Sequence, residues 1–209
     1  AQAGFPSGID FVPLPMGTGN DFLYSIDRRY RNLQTYLDYP LTRKIRADLG
    51  HIQYQTEHGS GQRYFCVGAT TGFSAQVTAT RDWIGRWIPG RMAYWLAILV
   101  AVGRWSRWPV TVTRTGQPGW VRQFPHLLNF NCSNVKFYGG GLVSSPLAEA
   151  QSRKLQAVAM SMGFWGFLKA LPECYWGRFD GVQQLEQWAV EQEHRLTSQA
   201  PLPVQADGE

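Results

Sequence analysis

Ile9-Asp10-Phe11-Val12-Pro13-Leu14-Pro15-Met16-Gly17-Thr18-Gly19-Asn20-Asp21-Phe22 is the stretch on which the fold turns. Residues 9–14 form a short apolar run that reads as a buried strand, closed by Pro15. Gly17-Thr18-Gly19 then makes a tight turn. Asn20 stands where a helix cap belongs, and Asp21 falls in the first helical turn, where negative charge is favourable. Strand, Gly-rich turn and helix make one α/β unit. A second helix is predicted over residues 28–37, closed by Tyr39-Pro40. Parallel strands are normally covered on both faces, so one such unit cannot build a sheet. Residues 1–40 therefore read as the C-terminal remnant of a larger α/β nucleotide-binding domain.

Beyond Pro40 the texture changes. Residues 42–49 alternate, with Ile45, Ala47 and Leu49 on one face and Lys44, Arg46 and Asp48 on the other, which predicts a half-buried strand. A hairpin is expected around Gly59-Ser60-Gly61, from strands at 51–57 and 63–70. Residues 72–105 read as mostly helical, broken near Pro89-Gly90. Further strands are predicted at 110–114, 120–123, 126–131, 155–161, 188–197 and 204–206, with a helix at 164–175. Residues 41–209 thus form a second unit, and the fold class is α+β: a mostly antiparallel, β-sandwich-like domain with a few helices.

Composition bounds the function. The 209 residues are 44% hydrophobic and 17% charged, as in a globular rather than a disordered chain. A net charge of +5 favours phosphate, anionic headgroups or nucleic acid without choosing among them. Cys66, Cys132 and Cys174 fit neither a disulfide framework nor a zinc pattern. Each lies in an apolar stretch and reads as a buried thiol of a reducing cytoplasm. The four histidines form no i, i+4 metal pair. The longest apolar run, residues 92–103, falls short of the ~20 residues that span a bilayer.

Four segments have chemistry in them. Glycines at 17 and 19 allow close backbone approach to an anion, and Thr18 adds a hydroxyl donor. Asp207-Gly208-Glu209 offers a carboxylate able to take a proton from a substrate hydroxyl, with Glu209 beside it; the same sequence would also serve as a plain turn. Gly139-Gly140-Gly141 is costly in chain entropy and fits a loop passing close to a ligand or another strand. Finally, residues 81–108 interleave five tryptophans with five arginines. That composition suits a peripheral membrane surface, a core helix with solvated ends, or single-stranded nucleic acid.

In this order, these segments resemble the diacylglycerol-kinase-like lipid kinases, a family that includes bacterial soluble members and the sphingosine and ceramide kinases. The matching segments are Pro15 to Phe22, Asp48-Leu49-Gly50, Tyr64-Phe65 with Gly72-Phe73-Ser74-Ala75, Asn134 with Gly139-Gly140-Gly141, Pro146 and Ala148, and Asp207-Gly208-Glu209. The resemblance implies ATP with Mg2+ as cofactor of the complete enzyme, a lipid substrate, and an active site between an ATP-holding and a lipid-holding domain. It implies catalytic roles for Asp207 and Glu209, with Asp207 as general base. It implies nucleotide contacts at Gly17, Thr18, Gly19, Asn20 and Asp21.

Three departures stand out. No G-G-D-G-T nucleotide loop is present. No strand-forming segment follows D-G-E, so Asp207 is expected at a fraying end. The family's structural-magnesium aspartate is replaced in Ser152-Arg153-Lys154-Leu155, so no structural metal is expected. The primary reading is a lipid kinase region, inactive or very weak as a separate piece. The alternative is a non-catalytic lipid-binding or regulatory module derived from such a kinase. Nucleic acid is not expected as a partner. The chain is read as cytoplasmic, with peripheral contact at the inner membrane face as a further reading.

Overall fold

The structure is a computed structural model that describes residues 10–16, 19–30, 32–39, 44–88, 91–139 and 141–208. Two short helices open it, α1 (Asp21–Ile26) and α2 (Leu33–Asp38). Leu23, Tyr30 and Tyr36 form a small core of their own between them. The hairpin β1 (Gly50–Thr56) and β2 (Gly59–Phe65) follows, then β3 (Gly68–Gly72), α3 (Phe73–Ile84) and α4 (Arg91–Arg104). After these come β4 (Trp108–Arg114), β5 (Gln117–Leu127), β6 (Asn129–Ser133) and the two-residue strands β7 (Phe137–Tyr138) and β8 (Leu142–Val143). The chain continues through β9 (Leu155–Met160), α5 (Phe164–Trp176), β10 (Leu185–Val190), β11 (His194–Ser198) and β12 (Val204–Ala206).

The architecture is α+β, with the larger sheets antiparallel throughout. One sheet has the order β10-β9-β6-β3-β12, the other β11-β4-β5. Strand β9 shows how the layers are specified. Ala157 and Ala159 face the three-stranded sheet, packing with Val110, Val112, Phe124 and Leu127. Val158 and Met160 face the other way, into a core with α3, α4 and α5. Successive residues point to opposite faces of a strand, so a sheet covered on both sides reads as a continuous apolar run. The result is three layers: helices, five-stranded sheet, three-stranded sheet.

Several expectations are corrected. Residues 10–14 form no strand, and Phe11, Val12 and Leu14 are exposed. Helix α2 starts at Leu33, capped by the Asn32 side chain accepting from Thr35 N–H at 2.9 Å, while residues 28–29 form a turn. The alternating residues 44–49 are also not a strand. Their backbone is engaged by loops: Asp48 N–H donates to Ala150 O, and Asp48 O accepts from the Asn134 side chain. The hairpin turns at Glu57-His58 and not at residues 59–61. Gly61 lies inside β2 opposite Tyr54, whose ring occupies the space a Cβ would need. The strand expected over 188–197 is two, β10 and β11, one in each sheet, so the chain crosses from layer to layer through Glu191-Gln192-Glu193.

Candidate active site

Strand β12 pairs with β3, setting Ala206 opposite Ala69. The chain then turns at Asp207 (φ 52) and Gly208 (φ 92). This left-handed pair folds the Asp207 carboxylate onto the link between β2 and β3. There Oδ2 accepts Cys66 N–H at 2.7 Å, and Oδ1 accepts Val67 N–H at 2.9 Å and Gly68 N–H at 3.0 Å. The Asp207 N–H returns a bond to Gly68 O at 3.0 Å. The expected fraying is therefore not what the structure has: four hydrogen bonds tie the turn down. A carboxylate accepts at about four lone-pair sites, and Oδ2 takes one of these three bonds. It keeps acceptor capacity, and Asp207 lines a cleft of about 510 Å³ with Gln62, Arg63, Tyr64 and Ala206.

The motifs noted in the sequence build the floor of this cradle. Gly50 pairs with Phe65, and a Cβ on Gly50 would fall 2.0 Å from the Phe65 ring. Only glycine lets that ring lie flat and pack with Ala69 and Ala206 directly before the turn. Asn134 is fully buried. Its Nδ2 donates to Asp48 O at 2.6 Å and Cys66 O at 3.1 Å, while its own N–H donates to Val67 O. One amide thus staples D-L-G to the peptide units that hold Asp207. Gly72 serves the far end of β3: with φ 91 it leads into α3, where a Cβ would come 2.4 Å from Leu128 O. Glycine has no side chain to cap α3, so Asn129 Oδ1 accepts Ser74 N–H from β6.

Residues not singled out in the sequence complete the site. Gln205 is buried beneath the turn. Its Oε1 accepts Gly208 N–H at 2.6 Å, and its Nε2 donates to Thr70 Oγ1 and to the Tyr138 hydroxyl. Burial pushes the Tyr138 phenol up to about 12, with Tyr94 and Asp207 adding to the lift and Gln205 and Thr70 opposing it. Arg81 reaches Gly208 O at 3.4 Å and pairs with Asp82. Tyr94 is raised by burial of its hydroxyl, lowered by Arg81 and raised by Asp21. The one signal for Gln205 was a lone polar residue inside the short strand Val204-Gln205-Ala206.

The Gly-rich opening lies across this seam. Asn20 precedes α1 but its backbone is left-handed, and its side chain donates back to Pro15 O at 3.2 Å without capping the helix. Asp21 Oδ1 accepts Gly141 N–H at 2.9 Å. Tyr24 packs on Phe137 with centroids 4.6 Å apart. Asp21 is thus tied to Gly141, and Tyr138, earlier in the same segment, accepts from Gln205 beneath the Asp207 turn. Gly19 adjoins this seam, while Gly17, Thr18 and Glu209 lie outside the described residues.

At the expected metal position, Ser152 Oγ lies 2.8 Å from Glu149 O and 3.0 Å from Lys154 O. Asp48 Oδ2 accepts Arg153 N–H at 2.6 Å, and Lys154 pairs with Glu191. Among the described residues, no three His, Cys, Asp or Glu side chains converge as a metal set. Cys132 and Cys174 are pushed by burial up to about 12 and about 11. Cys66, expected to be buried, is exposed at the Asp207 cradle. Its thiol is raised by partial burial first and by the Asp207 charge second.

Residues 68–209 match the family profile described as the YegS C-terminal NAD kinase beta sandwich-like domain. Two curated sequences from Mycobacterium tuberculosis, strains CDC 1551 / Oshkosh and H37Rv, each named diacylglycerol kinase, are 31% identical over 152 residues. The match takes in 71% of this chain and 45% of those proteins, so the chain spans less than half their length. A Bacillus anthracis str. Sterne crystal structure provisionally named a diacylglycerol kinase superposes with TM-score 0.64 at 16% identity, covering 92% of this chain and 59% of that one. A second, named a diacylglycerol kinase, gives 0.57 at 11%, covering 91% and 57%. At such identities the structures speak for the fold, and the profile speaks for the family. The chain belongs to the YegS C-terminal domain family of diacylglycerol-kinase-like proteins.

Proposed function

We propose that this chain is the lipid-side region of a cytoplasmic, ATP-dependent lipid kinase that phosphorylates a hydroxyl on a diacylglycerol-like or sphingoid-like lipid. The observation that carries the reading is the Asp207 carboxylate, oriented by three backbone N–H groups at the mouth of the cleft. ATP supplies the γ-phosphoryl group when bound. The chain's own part is proton handling and orientation. Asp207 Oδ2 takes the hydroxyl proton as the lipid oxygen becomes the nucleophile. Gln205, Asn134 and the peptide units of residues 66–68 keep the carboxylate still. Glu209 would assist Asp207, and Gly17, Thr18, Gly19, Asn20 and Asp21 would edge the nucleotide. Among the described residues, no three His, Cys, Asp or Glu side chains stand together to hold a metal ion. A division into residues 1–40 and 41–209 is supported by the separate Leu23–Tyr30–Tyr36 core.

The test joins this chain to the amino-terminal half typical of its relatives and follows transfer of labelled phosphate from ATP to diacylglycerol and to sphingosine. The joined protein should be active, and Asp207→Asn should lose about 10²–10⁴-fold in kcat while keeping its melting temperature. The 209 residues alone should give little or no product. Full activity in Asp207→Asn would remove the base assignment. An inactive joined protein that still binds lipid would favour the non-catalytic module, a reading that Ser152 in the metal position supports.

A further inference from the structure

Helix α4 carries apolar side chains on both faces, with Leu96, Ile98 and Val102 packed on the core. Its small residues Ala93, Ala97 and Ala101 face the core and are at most 1% exposed. Its outward stripe, at i, i+3 and i+7, is Met92, Trp95 and Leu99, each about two-thirds exposed (66%, 65% and 66%). Trp83 on α3 and Trp87 just beyond it are exposed at 64% and 80%. On α5, Trp165 is 73% exposed and meets Phe164, which in turn meets Trp105 at the end of α4 edge-on at 5.1 Å. A surface helix ordinarily turns its large apolar residues inward, and a contiguous exposed apolar patch marks a contact surface.

The charge around it decides the occupant. Residues 81–108 contain five arginines against one aspartate. Arg86, Arg104 and Arg107 are exposed, and no ion pair holds any of them among the described residues. Exposed tryptophan flanked by unpaired arginine matches the interface of an anionic bilayer, where indoles settle at headgroup depth and guanidinium groups meet phosphate. A protein partner or a second copy would need a matching acidic rim, whereas this chain is itself positive.

We infer that the outward face of α4, with Trp83, Trp87 and Trp165, docks on the surface of anionic lipid bilayers. The inference stands on this surface and not on the kinase reading. The two do meet in geometry, since Arg81 on α3 reaches Gly208 O beside Asp207.

Co-sedimentation with vesicles tests it without any activity measurement. The chain should pellet with vesicles of equal parts phosphatidylcholine and phosphatidylglycerol, stay in solution with phosphatidylcholine alone, and be released by salt. Trp83→Ser/Trp87→Ser/Trp95→Ser should bind at least about tenfold more weakly. Arg86→Gln, Arg104→Gln and Arg107→Gln should each cost about fivefold. Circular dichroism melts confirm folding; if the triple tryptophan variant melts early, the arginine variants still decide the question. Undiminished binding in either set would overturn the inference. So would equal binding to both vesicle types, or a dimer in analytical ultracentrifugation that the tryptophan substitutions dissolve.

Discussion

The Asp207 turn and the α4 helix both border α3 and are built on opposite principles. At the turn, polar groups are tied to defined partners: a carboxylate on three amides, a glutamine under a glycine, an asparagine across two carbonyls. On α4, alanines make the close approach to the core with Leu96, Ile98 and Val102 beside them, while Met92, Trp95 and Leu99 are left outside. The first is an arrangement of directions, which tolerates little displacement. The second is an arrangement of sizes, which tolerates none inside and almost anything outside. The two regions should therefore fail differently.

The largest effect is expected at the floor of the turn. Gly50→Val puts a branched side chain where the Phe65 ring lies, and should destabilise the fold by about 3 kcal/mol through overpacking, read as a lowered denaturant midpoint. A neutral result would show that the floor is soft and erase the contrast. Next comes the inner stripe of α4. Ala97→Leu has no room at a fully buried site and should cost about 2 kcal/mol, measured by urea unfolding.

A smaller effect is electrostatic. Burial and the Asp207 charge both raise the Cys66 thiol above 9.0, so the folded state holds that proton longer than the unfolded chain does. Its contribution to stability is complete below pH 9.0 and is lost as pH rises through the folded value. In Asp207→Asn the charge is gone, so the alkylation midpoint of Cys66 should fall, and with it the loss of stability at alkaline pH. An unchanged midpoint would separate the thiol from the carboxylate. The smallest effect belongs to the outer stripe: Trp95→Gln should leave stability within about 0.5 kcal/mol, so that any loss of vesicle binding is not a folding defect.

The sequence was most legible where local pattern and tertiary demand coincide. Strands β9 and β12 and helix α5 fall within a residue or two of their expected limits; in β9 an apolar run covered on both faces leaves no alternative. It was least legible where a distant group competes for the backbone. Residues 44–49 alternate as a strand should, yet Asn134, some ninety positions later, takes the Asp48 carbonyl. At the site, Asp207 was marked by family resemblance, and its three amide partners were not, since any residue supplies an N–H. Gln205 was missed for a related reason: its importance lies in what stands above it in space and not in its neighbours along the chain.

The amides of Cys66, Val67 and Gly68 have one more use. Each donates to the Asp207 carboxylate, so each exchanges its hydrogen with solvent only when the turn lifts away. Their exchange rates meter the opening of the last turn, separately from unfolding of the sheets beneath. A ligand that seats in the cleft and presses the turn closed would slow these three amides together. One that binds only the tryptophan face of α4 would leave them at their own pace.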